Sequence, residues 1–400
     1  MRSAELVADE QSPGPPEPAL STRARARRRR RWWVLVVVFG LLAIPGWSLG
    51  RTLVANTTDP LSIRVVEWAR GHRLGGVVGF VEQSWYAHHQ PPKGGTPKGG
   101  IPVAPKLSVR RSVPATVVHQ AVTSVGPANV RPLVANPLPG EGVWQPSGRP
   151  VARRPVLWVT YLRPDAVHTG LIAGIAHLDM SRLSATLHAG TDVPGGGPWV
   201  NGPQIAVSHY PYVVAAFNSA FRLDSSRGGY YAEGRTVKPL VTDRASLVTY
   251  RDGRVDVGAW GRDDTMSSAV TSVRQNLDLI VDHGALVPGL GNSNSGLWGG
   301  TVGNQIYVWR SGVGVDARGN IIYVAGPGLN VETLAELLRR AGSVRAMELD
   351  INTWWISFNV FVPGPGGGVQ PSNLLASMVR SPSRYLSDGT RDFIEIDARH

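Results

Sequence analysis

The segment Arg345 to Trp355, RAMELDINTWW, holds the side chains best suited to chemistry. If it is a strand, Met347, Leu349 and Ile351 point to one face, and Glu348, Asp350 and Asn352 to the other. Two carboxyls and an amide on one face of a central strand need solvent, partners or a ligand, because an isolated charge is costly to bury. Their Cβ atoms would stand about 6.5–7 Å apart, twice the rise per residue. That spacing could suit acid and base work by Asp350 and Glu348 across a glycosidic bond. Trp354 and Trp355 follow directly, and aromatic faces beside carboxyls either pack against sugar rings or fill a core. On the first reading Asn352 and Trp354 join the substrate site. The plainer alternative for the acids is a sheet edge in contact with water.

Two further segments carry polar groups at strand ends. Val213 to Arg222, VVAAFNSAFR, reads as a buried strand turning at Asn218, whose amide could fix a substrate hydroxyl or cap the turn. In Gln305 to Asn320, QIYVWRSGVGVDARGN, Arg310 precedes the small run Ser311-Gly312-Val313-Gly314. A guanidinium beside backbone amides suits a phosphate. It could equally form a structural salt bridge, with Asp350 as one candidate partner.

The elements that must position these groups are short. Strands are predicted at Val156–Tyr161, Val213–Phe217, Ala245–Tyr250, Arg254–Ala259, Leu277–Val281, Gln305–Val308, Ile321–Val324 and Ala346–Ile351. Turns fall at Arg251–Arg254 and at Asp316–Asn320. A helix is capped by Asn330, buries Leu334, Leu337, Leu338 and Ala341, and stops at Gly342. The expected class is α+β, with a mixed β-sheet core and few helices.

In order and spacing, these segments resemble the phosphodiester glycosidase family over about residues 155–362. Asn218 and Phe221 match its Asn-Gly-Gly-Phe-Phe signature. Arg310 matches the Arg before its small-residue run, and Leu349-Asp350 matches the start of Leu-Asp-Gly-Gly-Gly-Ser. Ser219, Ala220 and Arg222 depart from the first signature, and Ile351, Asn352, Thr353 and Trp354 from the second. Filling glycine positions beside a site should narrow it. The resemblance implies hydrolysis of a sugar 1-phosphodiester or related cell-envelope glycan. Arg310 would hold the phosphate, Asp350 would act as acid/base, Asn218 and Asn352 would orient the sugar, and Glu348 would be a second carboxyl. Two alternatives stay open: a non-catalytic module that binds a glycan or a partner protein, and a different hydrolase that uses Glu348 and Asp350 as a pair.

Other chemistries find no support. The chain has no Cys, which excludes thiolate catalysis, disulfides and Cys-based zinc sites. Phosphate-loop, His-Glu-x-x-His and Gly-x-Ser-x-Gly motifs are missing from the sequence. The ten His are scattered; His209 and His283 lie near strand ends without a ligand spacing. No cofactor is expected and no metal ligand is assigned, although a divalent metal held by carboxylates stays open.

Residues 1–31, Pro-rich and then Arg-rich, are expected to be a disordered basic cytoplasmic tail. Seven Arg between 23 and 31 precede Trp32-Trp33 and an uncharged run to Leu49. This reads as a transmembrane helix over 32–50 with its N-terminus inside. A cleaved signal peptide is the rival reading. A membrane-proximal helical segment is expected over 51–89, with helices at Asp59–Arg70 and Val77–Trp85. A Pro/Gly-rich linker and extended segment follows over 90–150, and the glycosidase-like domain over 151–400. Together these readings describe a single-pass bacterial membrane protein with a large extracytoplasmic domain. The net charge of +12 divides into +4 over residues 1–31 and +8 beyond. That surface suits an anionic glycan or sugar phosphate, and no nucleic-acid recognition motif accompanies it. The oligomeric state is not specified.

Overall fold

Six-residue runs such as Ala173–Leu178, Val213–Asn218 and Ala245–Tyr250 are buried along their whole length, so each must be covered on both faces. The structure, a computed structural model, describes residues 22–54, 60–72, 74, 77–78, 91–105, 126–291, 297–299 and 307–399. Two compact units divide the chain, Met1–Ala55 and Asn56–His400.

The second unit is built on three sheets. Eight strands form the largest, in the order β1 (Gln145–Ser147), β2 (Leu157–Leu162), β3 (Ala173–Leu178), β14 (Ile321–Leu329), β13 (Val308–Val315), β15 (Arg345–Asp350), β11 (Leu279–Asp282) and β12 (Ala285–Leu286). A second sheet runs β7 (Arg235–Lys238), β6 (Tyr230–Ala232), β10 (Val270–Gln275), β8 (Ala245–Tyr250) and β9 (Val255–Ala259). The third runs β17 (Val369–Asn373), β16 (Phe358–Pro363), β5 (Val213–Asn218), β18 (Phe393–Ala398) and β4 (Leu183–His188). Every pairing between these strands is antiparallel, not mixed. Short turns explain this: β8 and β9 join through Gly253, at φ 80°, and β13 and β14 through Gly319, at φ 78°.

The main core lies among the three sheets and includes Leu157, Phe217, Leu247, Tyr323, Met347 and Ile394. The helix Val331–Arg340 packs on the large sheet and buries Leu334, Leu337 and Leu338. Asn330 caps it, its side chain accepting from Thr333 N at 2.6 Å. Residues 91–105, with the composition of a linker, are tied to this body. Gly94 N donates to Val167 O at 2.7 Å, and Ala104 N to Gln145 Oε1 at 2.9 Å.

The transmembrane reading requires correction. Residues 32–50 fall inside a helix, Thr22–Val54, but no helix among the described residues is long and apolar enough to cross a membrane. The same 33-residue helix takes in the Arg tract and Pro45, which interrupt its apolar character. The single-pass anchor is therefore withdrawn from the fold class. The helix read at Asp59–Arg70 runs Leu61–Gly71, with Pro60 at its N-cap. Asp59 and positions 79–85 of the helix read at Val77–Trp85 lie outside the described residues.

Candidate functional site

β15 ends at Asp350, where the chain leaves the sheet and turns through 351–355. Asp350 sits opposite Ser311 of β13, and Glu348 opposite Gly312, with a bulge between. Asn218, the last residue of β5, donates to Ser311 Oγ at 3.0 Å. The three distant segments therefore meet, and Ser311 joins them: Asp350 N donates to its Oγ at 3.3 Å.

Contact does not make the groups alike. Arg310 donates through Nη1 to Glu348 Oε1 at 2.5 Å and through Nε to Leu329 O at 3.0 Å. Glu348 is fully buried and Arg310 is 3% exposed. Of the two sequence readings of Arg310, the coordinates show the ion pair, with Glu348 in place of Asp350. The small run after it serves packing. A Cβ on Gly312 would meet Leu338 Cδ1 at 2.9 Å and Met347 O at 3.0 Å, so glycine lets the Val331–Arg340 helix lie against β13. Asn218 is equally committed: its Oδ1 accepts from Tyr323 Oη at 2.8 Å and from Ser357 N at 3.2 Å.

Asp350 is placed differently. Its Oδ1 accepts from the backbone N–H of Ile351 at 2.8 Å and of Asn352 at 3.0 Å, and its Oδ2 faces Arg391 Nη2 at 3.4 Å. Burial lifts this carboxyl to about 6, against the opposing pull of Arg391 and of the two backbone donors. Burial lifts Glu348 to about 7, opposed by the Arg310 charge and reinforced by that of Asp350. The site thus holds two carboxyls that titrate near neutrality. The one at the strand end keeps slight exposure.

Asn352 and Trp354 flank that end, and the Asn352 side chain accepts from Trp354 N at 2.9 Å. The two Trp part company. Trp354 is 37% exposed, whereas Trp355 is buried with Arg391 stacked 4.9 Å from its ring centre.

Sequence reasoning missed the arginines of the C-terminal segment. Arg391 donates to Ala220 O at 3.0 Å. Arg274 donates to Phe221 O and pairs with Asp392 at 2.6 Å. Carbonyls of the 218–221 turn are thus gripped by cations from β10 and from the entry to β18. Arg222 pairs with Glu67 on the Leu61–Gly71 helix. The signal available in the sequence was weak: an Arg-Asp pair, 391–392, before an alternating apolar strand.

Among known proteins, residues 207–350 match the family model described as phosphodiester glycosidase. That match supports a glycosidase-type or glycan-related function. A search of curated proteins gave no match. Among solved structures, the chain is similar to the zebrafish N-acetylglucosamine-1-phosphodiester alpha-N-acetylglucosaminidase catalytic domain, auto-inhibited by its pro-peptide. Identity there is 14% and the TM-score 0.36, over 64% of this chain and 88% of the other. It is also similar to a hypothetical protein from Synechocystis, at 12% identity and TM-score 0.35, over 64% of each chain. The sequence match over residues 207–350 therefore bears out the resemblance to the phosphodiester glycosidase family.

Proposed function

We propose that the chain hydrolyses a sugar 1-phosphodiester, with Asp350 as the catalytic residue. The observation that carries this reading is a barely exposed carboxyl, lifted to about 6, beside the Arg391 guanidinium at the end of β15. A carboxyl near that value is well matched to giving or taking a proton close to neutral pH. In the reaction water adds to the anomeric carbon, the C1–O bond to phosphate breaks, and the departing phosphate oxygen gains a proton. Asp350 handles that proton. Arg391 supplies positive charge where the phosphate gathers negative charge. Arg310 and Glu348 act one layer deeper: their ion pair fixes β13 against β15 and sets the field at Asp350. Asn218 positions Ser311 and the 218–221 turn, while Asn352 and the exposed Trp354 contact the sugar. The test is release of free sugar and phosphomonoester from a synthetic sugar 1-phosphodiester by the purified chain. No release above the uncatalysed rate would end the reading.

A second reading is a non-catalytic module that binds a glycan or a partner protein. Ile351, Asn352 and Thr353 stand where the family signature has glycines, and Asp350 beneath them is 3% exposed. Binding on a glycan array without product would favour it.

A further inference from the structure

The outer face of β18 carries an arrangement unconnected with the Asp350 site. Ile394 and Ile396 point into the main core, so Glu395 and Asp397 point the other way. Two histidines meet them there: His188 at the end of β4, and His209 in the short 3-10 turn Val207–His209. His188 Nε2 lies 2.6 Å from Glu395 Oε2. His209 Nδ1 lies 3.2 Å from both Glu395 oxygens and 3.4 Å from Asp397 Oδ2.

The proton count in this cluster is unusual. His188 Nδ1 is 2.9 Å from Gly202 O, and a carbonyl only accepts, so Nδ1 bears the hydrogen. In the neutral ring Nε2 then presents a lone pair to a fully buried carboxylate. Phe393 stacks on the ring at 4.5 Å. The Asp397 carboxyl is hydrogen-bonded to that of Glu395, which again needs a shared hydrogen. Asp397 Oδ1 is buried without a hydrogen-bond partner. The imidazolium form of His188 satisfies its pair with Glu395, whereas around His209, Glu395 and Asp397 a bound cation satisfies the acceptors directly. The nearest guanidinium, Arg149, donates to Tyr210 O at 2.8 Å and acts on Asp397 only through its charge.

The spacing fits a small ion. Ligand atoms of a tetrahedral zinc site, with bonds of about 2.0–2.1 Å, stand about 3.3 Å from one another. The separations of 3.2 and 3.4 Å around His209 Nδ1 are close to this, and its ligand atom and those of Glu395 and Asp397 all lie within 4.8 Å of one another. His188, held by Gly202 O and bonded to Glu395, supports that ligand from the outer sphere. An imidazole with two carboxylates suits a zinc-class ion better than magnesium or calcium, which prefer all-oxygen surroundings. The His209 side chain is 37% exposed and provides the way in.

We propose that His209, Glu395 and Asp397 bind one divalent ion of the zinc class, pinning the 3-10 turn Val207–His209 to β18, with His188 of β4 holding Glu395 in place. The three ligands are separated by up to 188 positions in the sequence, which is why no local spacing announces them. The test is calorimetric titration of the full, tag-free, chelator-stripped chain with ZnCl2, with metal content measured after desalting. One zinc per chain is expected, with a melting temperature raised by several degrees and no comparable effect of MgCl2. H209A, which alters a partly exposed ring and should fold normally, and D397N should each weaken zinc binding at least tenfold. Absence of zinc uptake, an equal response to MgCl2, or undiminished uptake by H209A would overturn the proposal.

Discussion

Arg391 Nη2 stands 3.4 Å from Asp350 Oδ2, and the two residues are 6% and 3% exposed. The same nitrogen donates to Ala220 O at 3.0 Å, so one guanidinium joins the strand-end carboxyl to the turn that follows β5. Removing it leaves a buried carboxylate without its cation. R391A should lose about 3–5 kcal/mol of stability at neutral pH, measured by urea unfolding. R391K, which keeps the charge but not the fork, should fall between. Wild-type stability in R391A would show that the contact carries no weight.

Stability should depend on pH in a defined direction. Asp350 and Glu348 titrate at about 6 and about 7 in the fold, against ordinary values of 3.8 and 4.5. The fold therefore binds their protons more tightly than the unfolded chain does. Their contribution is complete below about pH 4 and is lost as pH rises through 6 to 7. Between pH 5 and pH 8 these two groups should lower the urea midpoint, and the D350N/E348Q double variant should flatten that part of the profile. An unchanged slope in the double variant would contradict the assignment.

The Arg310–Glu348 pair permits a double-mutant cycle. R310M alone leaves Glu348 buried without a charge partner and should cost about 3–5 kcal/mol. R310M/E348L removes both charges and should recover most of that loss, since a well-packed apolar pair can match a buried ion pair. Additive losses in denaturant midpoints would show that the two side chains do not act together.

Asn218 uses both ends of its amide, accepting from Tyr323 Oη and Ser357 N and donating to Ser219 O and Ser311 Oγ. N218D replaces the donor with an acceptor facing the Ser219 carbonyl. It should cost about 2–4 kcal/mol, the penalty of an uncompensated buried polar group, read from thermal unfolding. A neutral substitution would mean that the network relaxes around the change.

Several strands were legible because they carry continuous apolar runs bounded by turns. Ala245–Tyr250 appears as read, and Val213–Phe217 gains only Asn218. The helix after Asn330 was legible through its cap and its leucine spacing. The C-terminal strands were not. β16 to β18 mix apolar residues with Asn, Gln, Glu and Asp, and their alternation makes sense only once β18 is seen lying between β4 and β5. Asp350 meets Ser311 through the pairing of β13 with β15, and Asn218 reaches Ser311 from another sheet; Asn218 and Asp350 stood out in the sequence. Arg391 did not, because its partners are the backbone carbonyl of Ala220 and a carboxyl forty-one residues away. The Trp32–Leu49 run misled: an uncharged sequence bordered by arginines reads as a span, while the helix containing it extends through the arginines themselves.

The most direct measurement is kcat for a synthetic sugar 1-phosphodiester, wild type against D350N, each confirmed folded by near-UV circular dichroism. Loss of general-acid help should lower kcat in D350N by about 10²–10⁴-fold, with KM little changed and the alkaline limb near pH 6 gone from the rate profile. Equal turnover by the two proteins, or none by wild type, would contradict the central role given to Asp350.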